Sequence, residues 1–452
     1  MSPSGKAPRG FVLVAGLGLL LMSALGMVAL LAGAALYADK QKGSDLADAA
    51  ALSVATWYAQ ALNYQAYANR AIIANEVMIA QSLTVLAWIK HLETLTRNTG
   101  QVAALFPAVS GVSAWLQQAT LAARGVTQTA VSAEVPFRSA YTRALQASQE
   151  AMQLAANPFA TQSLVNEVIW SGDPRFFGQY LPSSDVSRFY RAVRSYSGQE
   201  RQLQAQHVLS QLDRFTQARG YDQRLYLLPS TGCIPTSTNT LFSRLVRRGG
   251  TGLSSDWSEW ESVDTLSVHR WQRRSRWRRT CSGLTESFPL GWGAAQAGTP
   301  VERSLMAQAG TGSNGQSLGR AQSEGAAVHG YLGLSAYRDL SDQSVSGRRA
   351  SAFRIPVLVR LTDNKRLAPS ASSSLERLLG SNSKADSTAS GALLGQAIWA
   401  MSVGEVRFID PTAGPVEHLP SLLMPFWQAN LTSVQAQDQG AAILAAGKRA
   451  GS

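Results

Sequence analysis

The chain has 452 residues, enough for two or three domains and a sizeable buried core. Lysine and arginine outnumber aspartate and glutamate 41 to 29, giving a formal net charge of +12 and a pI near 9.9. That balance suits nucleic acid, anionic lipid or an acidic polymer, or a basic exported protein with no dedicated polyanion. Two cysteines, Cys233 and Cys281, exclude a disulfide-dense scaffold and a cysteine metal cluster.

The first predicted element is apolar. Phe11 to Tyr37 carries no charge, and at 1.5 Å per residue it reaches about 40 Å, more than the hydrocarbon slab of a bilayer. It is also longer than the apolar core of a cleaved signal peptide, so a retained anchor is expected. Lys6 and Arg9 precede it without an acid, whereas Asp39, Lys40, Lys42, Asp45 and Asp48 follow. The uncompensated positive charge keeps residues 1–10 in the cytoplasm and sends the rest outward. A basic cluster beyond the membrane does not meet nucleic acid.

From Ala38 to Asn98 there is one glycine, Gly43, and no proline, so a stalk helix over 38–98 is predicted. Leu46, Ala50, Val54, Trp57, Ala61, Tyr64, Ala68 and Ile72 fall at spacings of three and four, and Ile79, Leu83 and Leu86 continue the same apolar stripe. Asn75 lies within that stripe, while Asn63, Tyr67, Arg70, Ala74 and Gln81 lie opposite. A polar residue in such a seam fixes register, against a foreign helix or within the protein's own bundle. The expected helix-packing set is Leu46, Val54, Trp57, Tyr64, Ile72, Asn75 and Ile79.

A turn near Asn98–Gly100 is expected next, then helices at 101–123 and 135–156. Pro158, Gly172, Pro174 and Pro182 mark a looped region, followed by a helix from Ser184 to Ala218. Segment 99–219 thus reads as a helical subdomain. Residues 220–430 read as strand-rich, with LYLL, VDTLSVH, VHGYLGLSAY, FRIPVLVRL and AIWAMSVGEVRFI as strands. Pro356 within FRIPVLVRL suggests an edge strand. Tracts 293–325 and 369–391 have the composition of loops, and the Ala-rich tail 431–452 suggests a last helix. The fold class is α+β: one N-terminal transmembrane helix (11–37) continuing into an amphipathic stalk, a helical subdomain and a mixed α/β C-terminal region.

Candidate chemistry is sparse. Gly315-Gln-Ser317-Leu-Gly319 satisfies G-x-S-x-G, the pattern of a hydrolase nucleophile, but a nucleophile elbow needs a strand-to-helix turn that this Gly-rich tract does not suggest. The five histidines lie far apart, with no pair at zinc-ligand spacing. Trp271, Arg273, Arg274 and Trp277 follow a run of acids. They suit a glycan or anionic surface, or a surface hairpin stabilised by its own Arg–Trp stacking. Cys233 and Cys281 flank this stretch and are the expected disulfide. No catalytic residue, metal ligand or cofactor site is assigned.

The head of the chain, YADKQKGSDLADAAALSVA with Asp48-Ala-Ala-Ala-Leu52 after the apolar helix, resembles TadG-like proteins of the tight-adherence (Flp) pilus apparatus. AYANRAIIANEVMIAQSLTVLAW and the late EVRFID and LMPFWQANL extend the likeness to TadE/TadG-like pilus assembly proteins. The resemblance implies a non-enzymatic, single-pass protein of the bacterial inner membrane with most of the chain periplasmic or surface-exposed. Its partners would be the lipid bilayer and other pilus assembly or pilin-like membrane proteins, in a homo- or hetero-oligomer. An anchored glycan-binding module and a tethered serine hydrolase acting through Ser317 are the alternatives.

Overall fold

A computed structural model describes residues 11–103, 107–181, 193–195, 197, 199–229, 233, 242–273, 281–298, 312–340, 352–361, 398–411 and 421–448. Seven helices and eleven strands follow in chain order among them. They are α1 (Phe11–Ala103), α2 (Pro107–Ala155), α3 (Pro158–Gly172), β1 (Phe176–Tyr180), β2 (Val193–Ser195), α4 (Gln199–Ser210), α5 (Arg214–Gln217), β3 (Tyr221–Pro229), β4 (Phe242–Leu253), β5 (Trp260–Arg273), β6 (Cys281–Ala297), α6 (Gly315–Glu324), β7 (Ala326–Val328), β8 (Arg338–Leu340), β9 (Ala352–Leu361), β10 (Trp399–Phe408), β11 (Trp427–Thr432) and α7 (Ala436–Lys448). The chain is a mixture of helix and sheet, with an apolar first helix long enough to cross a membrane.

The chain forms two compact units, each discontinuous in sequence. One takes Met1–Tyr64, Ala151–Val193 and Leu340–Ser452; the other takes Gln65–Glu150 and Arg194–Asp339. This differs from the successive segments 99–219 and 220–430 expected from the sequence.

In the first unit β1, β9, β10 and β11 form an antiparallel sheet in that order. It covers a helix surface made of small residues: Ala47, Ala50, Ala51, Val54, Ala55 and Ala59 are buried beneath Phe353, Ile355, Val357 and Val406. Gly404 of β10 makes the contact close, because a Cβ there would collide with the Ala51 carbonyl and the Ala55 side chain. Tyr58 donates to, or accepts from, Thr161 Oγ1 at 3.0 Å, donates to the Ala156 carbonyl at 3.0 Å, and meets Phe353 edge-on.

The second unit has a five-stranded sheet, β3-β4-β5-β6-β7, antiparallel except for the β6–β7 pair. Here Gly293 of β6 permits the close approach, since a Cβ would strike the backbone of α1 at Ala87 and His91. On the other face of the sheet Val263 and Ala294 pack with Ala321 and Leu318 of α6. Strand β5 is therefore covered on both faces, which erases the alternation expected of a half-solvated strand.

Several expected boundaries change. No turn occurs at 98–100; α1 runs through Gly100 to Ala103, because one glycine costs a helix only about 1 kcal/mol and Thr96 and Thr99 bond back to their own helix. The helices expected at 101–123 and 135–156 are one helix, α2, with Pro136 inside it. Proline removes a single helical hydrogen bond, and Arg124 and Arg138 hold both flanks against α1 through Glu93 and Asn75. The looped region contains α3 and β1 instead. Asn157 caps α3 by accepting from the Ala160 N–H at 2.9 Å, and Pro158 occupies the first turn, a helix start rather than a break.

The helix expected from Ser184 to Ala218 is the strand β2 and two short helices, α4 and α5, with 182–192 outside the described residues. Strand β9 is interior, between β1 and β10, so Pro356 does not mark an edge. The Leu181 N–H donates to the Pro356 carbonyl just beyond the last β1–β9 pair, Tyr180 with Val357, so the missing N–H falls where the short neighbour runs out. VHGYLGLSAY is largely irregular: Gly330 and Gly333 have φ of 92° and 82°, and Tyr331, Leu334 and Tyr337 are nonetheless buried. Within 293–325 the ends are ordered, as the end of β6 and as α6; residues 369–391 lie outside the described residues. The tail forms α7, preceded by β11.

Candidate functional site

The apolar start of α1 is bare. From Leu13 to Leu36 its large side chains are exposed, and the span buries nothing within the protein. The expected packing residues beyond it are not bare. Leu46, Val54, Ile72, Asn75 and Ile79 are buried and Trp57 and Tyr64 half-buried. Leu46 and Val54 sit in the core of the first unit. Of the two readings of this stripe, a foreign helix or the protein's own bundle, the burial agrees with the second: the protein covers most of it with its own chain.

The amides of this helix have the same explanation. In the second unit α1 and α2 lie antiparallel, joined by a ladder of polar contacts. Gln65 donates to the Gln149 carbonyl at 2.9 Å, Gln149 donates to Asn69 Oδ1 at 2.8 Å, Arg138 to Asn75 Oδ1 at 3.1 Å, and Ser82 to Glu134 at 2.8 Å. Asn69 donates to the Arg338 carbonyl at 2.6 Å. Buried amides with such partners fix register where alanines alone would slide. Asn75 thus holds the protein's own α2, while Arg70, Tyr67 and Ala74 remain exposed.

Ionisable groups absent from the sequence-based expectations lie deeper. Glu76 is buried and accepts from Trp260 Nε1 at 3.0 Å and the Tyr331 hydroxyl at 2.8 Å; burial pushes its pKa up, against those two bonds. Asp264 accepts two bonds from Arg219 Nε, at 2.9 and 3.0 Å, and one from Arg247 at 3.3 Å. Arg219 spends its other N–H groups on the carbonyls of Phe215, Thr216 and Val263 and on Ser262 Oγ. His91 is buried beside Gly291, and burial brings its pKa down to about 4. Glu76 was legible as a carboxylate among apolar residues at helical spacing. Asp264 carried no comparable signal, because it sits on a strand covered on both faces.

One polar cavity of about 270 Å³ opens in the second unit, lined by Lys90, Glu93, Thr94, Arg97, Arg124, Trp292 and Glu324 among others. Arg124 pairs with Glu93 at 3.0 Å, Arg97 with Glu324 at 3.6 Å, and Lys90 Nζ donates to the Glu324 carbonyl at 3.0 Å. Arg97 and Arg320 stack on the Trp292 ring. Burial, with Arg124 nearby, lowers Lys90 to about 8. These partners account for the charges as a structural network.

The remaining candidates separate. Trp271 is half-buried on β5; the side chain of Arg273 and the whole of Arg274 and Trp277 lie outside the described residues. Ser317 is fully buried in the first turn of α6 with its hydroxyl 2.6 Å from Ser267 Oγ. Glu286 accepts from the N–H groups of Gln316 and Ser317 at 2.6 and 3.0 Å, so this carboxylate caps a helix start. His269 bonds Asn314 instead of the serine. Among the described residues no group of three or more His, Cys, Asp or Glu side chains could hold a metal. Cys233 and Cys281 form the expected disulfide. No family model, no characterised protein and no solved structure matches this chain.

Proposed function

We propose that this chain is a membrane-anchored, non-enzymatic assembly component or minor-pilin-like subunit of a tight-adherence (Flp) pilus apparatus, seated in the bacterial inner membrane with its N-terminus cytoplasmic. The observation that carries the reading is α1 itself. One helix of 93 residues begins as an exposed apolar span, contributes the small-residue face of the first unit, and then supplies the central helix of the second. The ordered groups buried in both units serve packing, capping and register, which suits a protein that positions partners. The Cys233–Cys281 bridge agrees with an oxidising compartment outside the cytoplasm.

The test is made in cells. The full chain should resist alkaline extraction from membranes, be degraded by protease added outside the inner membrane, and co-purify with pilus subunits; its deletion should abolish surface pili. A soluble chain, or normal piliation without it, sinks the proposal.

A further inference from the structure

The network around Trp292 pairs its carboxylates without balancing its charge. Four cations, Lys90, Arg97, Arg124 and Arg320, gather there against two acids, Glu93 and Glu324. Each acid already holds an arginine, Glu93 with Arg124 at 3.0 Å and Glu324 with Arg97 at 3.6 Å. Lys90 is left with a neutral partner. Its Nζ donates to the Glu324 carbonyl at 3.0 Å, and among the described residues no carboxylate lies at ion-pair distance from it. An ammonium has three N–H groups, so two remain for a ligand. Lys90 is only 6% exposed. With Thr94 and Trp292 it lines the buried end of the cavity, while Arg97 and Glu324 are exposed at the open end.

We infer that this cavity binds a small oxyanion, a carboxylate or phosphate whose oxygens accept from the ammonium of Lys90. Three features select that chemistry. A buried cation is stabilised by an anion at hydrogen-bond distance, and both carboxylates of the network are engaged by arginines. Charge-assisted N–H bonds to carboxylate and phosphate are the strong kind, whereas a metal ion or a cationic ligand meets the surplus of positive charge. The third feature is size. At about 270 Å³ the space is nearly twice that of a cavity that takes benzene, about 150 Å³. Gly293, Ala294 and Ala321 complete its lining without a side chain long enough to fill it.

The acidity of Lys90 gives the site a pH signature. Burial, and then the charge of Arg124, lower its pKa to about 8, against the opposite pull of Glu93 and Glu324. Only the protonated amine attracts an anion, so affinity is full below pH 8 and falls as pH rises through it. The cavity lies wholly within the second unit and is independent of the membrane-anchored reading.

Calorimetric titration of the detergent-solubilised full chain with inorganic phosphate and with succinate, at fixed ionic strength, tests this. At least one should bind with a Kd of about 1 mM or tighter; phosphate alone marks a phosphoryl ligand, and succinate alone a carboxylate. Above pH 8 the affinity should fall by about tenfold per pH unit. Lys90→Met should weaken binding about tenfold or more below pH 8 and remove that slope. Arg214→Met, which deletes an exposed cation elsewhere in the same unit, should change neither. A native-chain measurement covers a Lys90→Met protein that does not fold: the bound anion should slow acetylation of Lys90 by acetic anhydride, read by mass spectrometry. No binding of either anion, affinity indifferent to pH across 8, equal loss in both variants, or acetylation of Lys90 unaffected by the anion overturns the inference.

Discussion

The side-chain amide of Asn63 pairs with the backbone of Trp427 as a neighbouring strand would. Its Nδ2 donates to the Trp427 carbonyl at 2.9 Å, and the Trp427 N–H donates to its Oδ1 at 3.0 Å. A residue of α1 thereby completes the hydrogen bonding of β11 at its first residue. Asn63→Ala would remove both of these bonds in a part-buried site and should cost about 2 kcal/mol. Asn63→Asp should cost more, because a carboxylate oxygen then faces a carbonyl. Thermal unfolding of the detergent-solubilised chain measures both.

Gly404 and Gly293 should reverse the usual sign of a glycine substitution. In an ordinary strand interior Gly→Ala is favourable by roughly 0.5–1 kcal/mol. At these two positions the added methyl meets the backbone of α1, which cannot step aside as a flexible side chain would. Gly404→Ala and Gly293→Ala should each destabilise by about 3 kcal/mol. Denaturant midpoints decide the sign.

His91 gives the second unit an acid limit. Burial brings its pKa from 6.5 to about 4, so the unfolded chain binds the proton more readily than the folded one. The contribution is complete above pH 6.5 and is lost as pH falls from 6.5 through 4, on the order of 3 kcal/mol in all. His91→Leu should flatten the pH dependence of the urea midpoint across that window. An unchanged slope would assign the acid sensitivity to other groups.

Asp264 neutralises Arg219 with almost no water near either side chain. Asp264→Asn strands a buried guanidinium and should cost about 3–5 kcal/mol, whereas Asp264→Leu with Arg219→Met should recover most of that loss. A double-mutant cycle on unfolding free energies separates the pair from its surroundings.

The apolar span, the helical run behind it, the disulfide and strands β3, β5, β9 and β10 are legible from period and composition. The helical starts at Asn157-Pro158 and around Pro136 are not, because proline reads alike at a helix entry, inside a braced helix and in a loop. The two units are invisible in the sequence for a topological reason: residues far apart along the chain, such as Ala51 and Gly404, complete one layer. The helix-packing stripe lies where its spacing places it, and the protein's own chain covers most of it. Period reveals that a face is covered and says nothing about whose atoms cover it.

The interleaving of the units dictates an order of events as the chain is synthesised. Residues 65–339 hold everything the second unit needs, so it can close while the chain is still arriving. The first unit is different: three of its four strands lie beyond Leu340. From the moment residues 46–62 emerge until Phe353, Val406 and Trp427 follow, the alanine-lined side of the rod lacks its native roof. Folding of this protein therefore includes an interval in which that side stays uncovered by its own strands, and any stop codon soon after residue 339 would make the interval permanent.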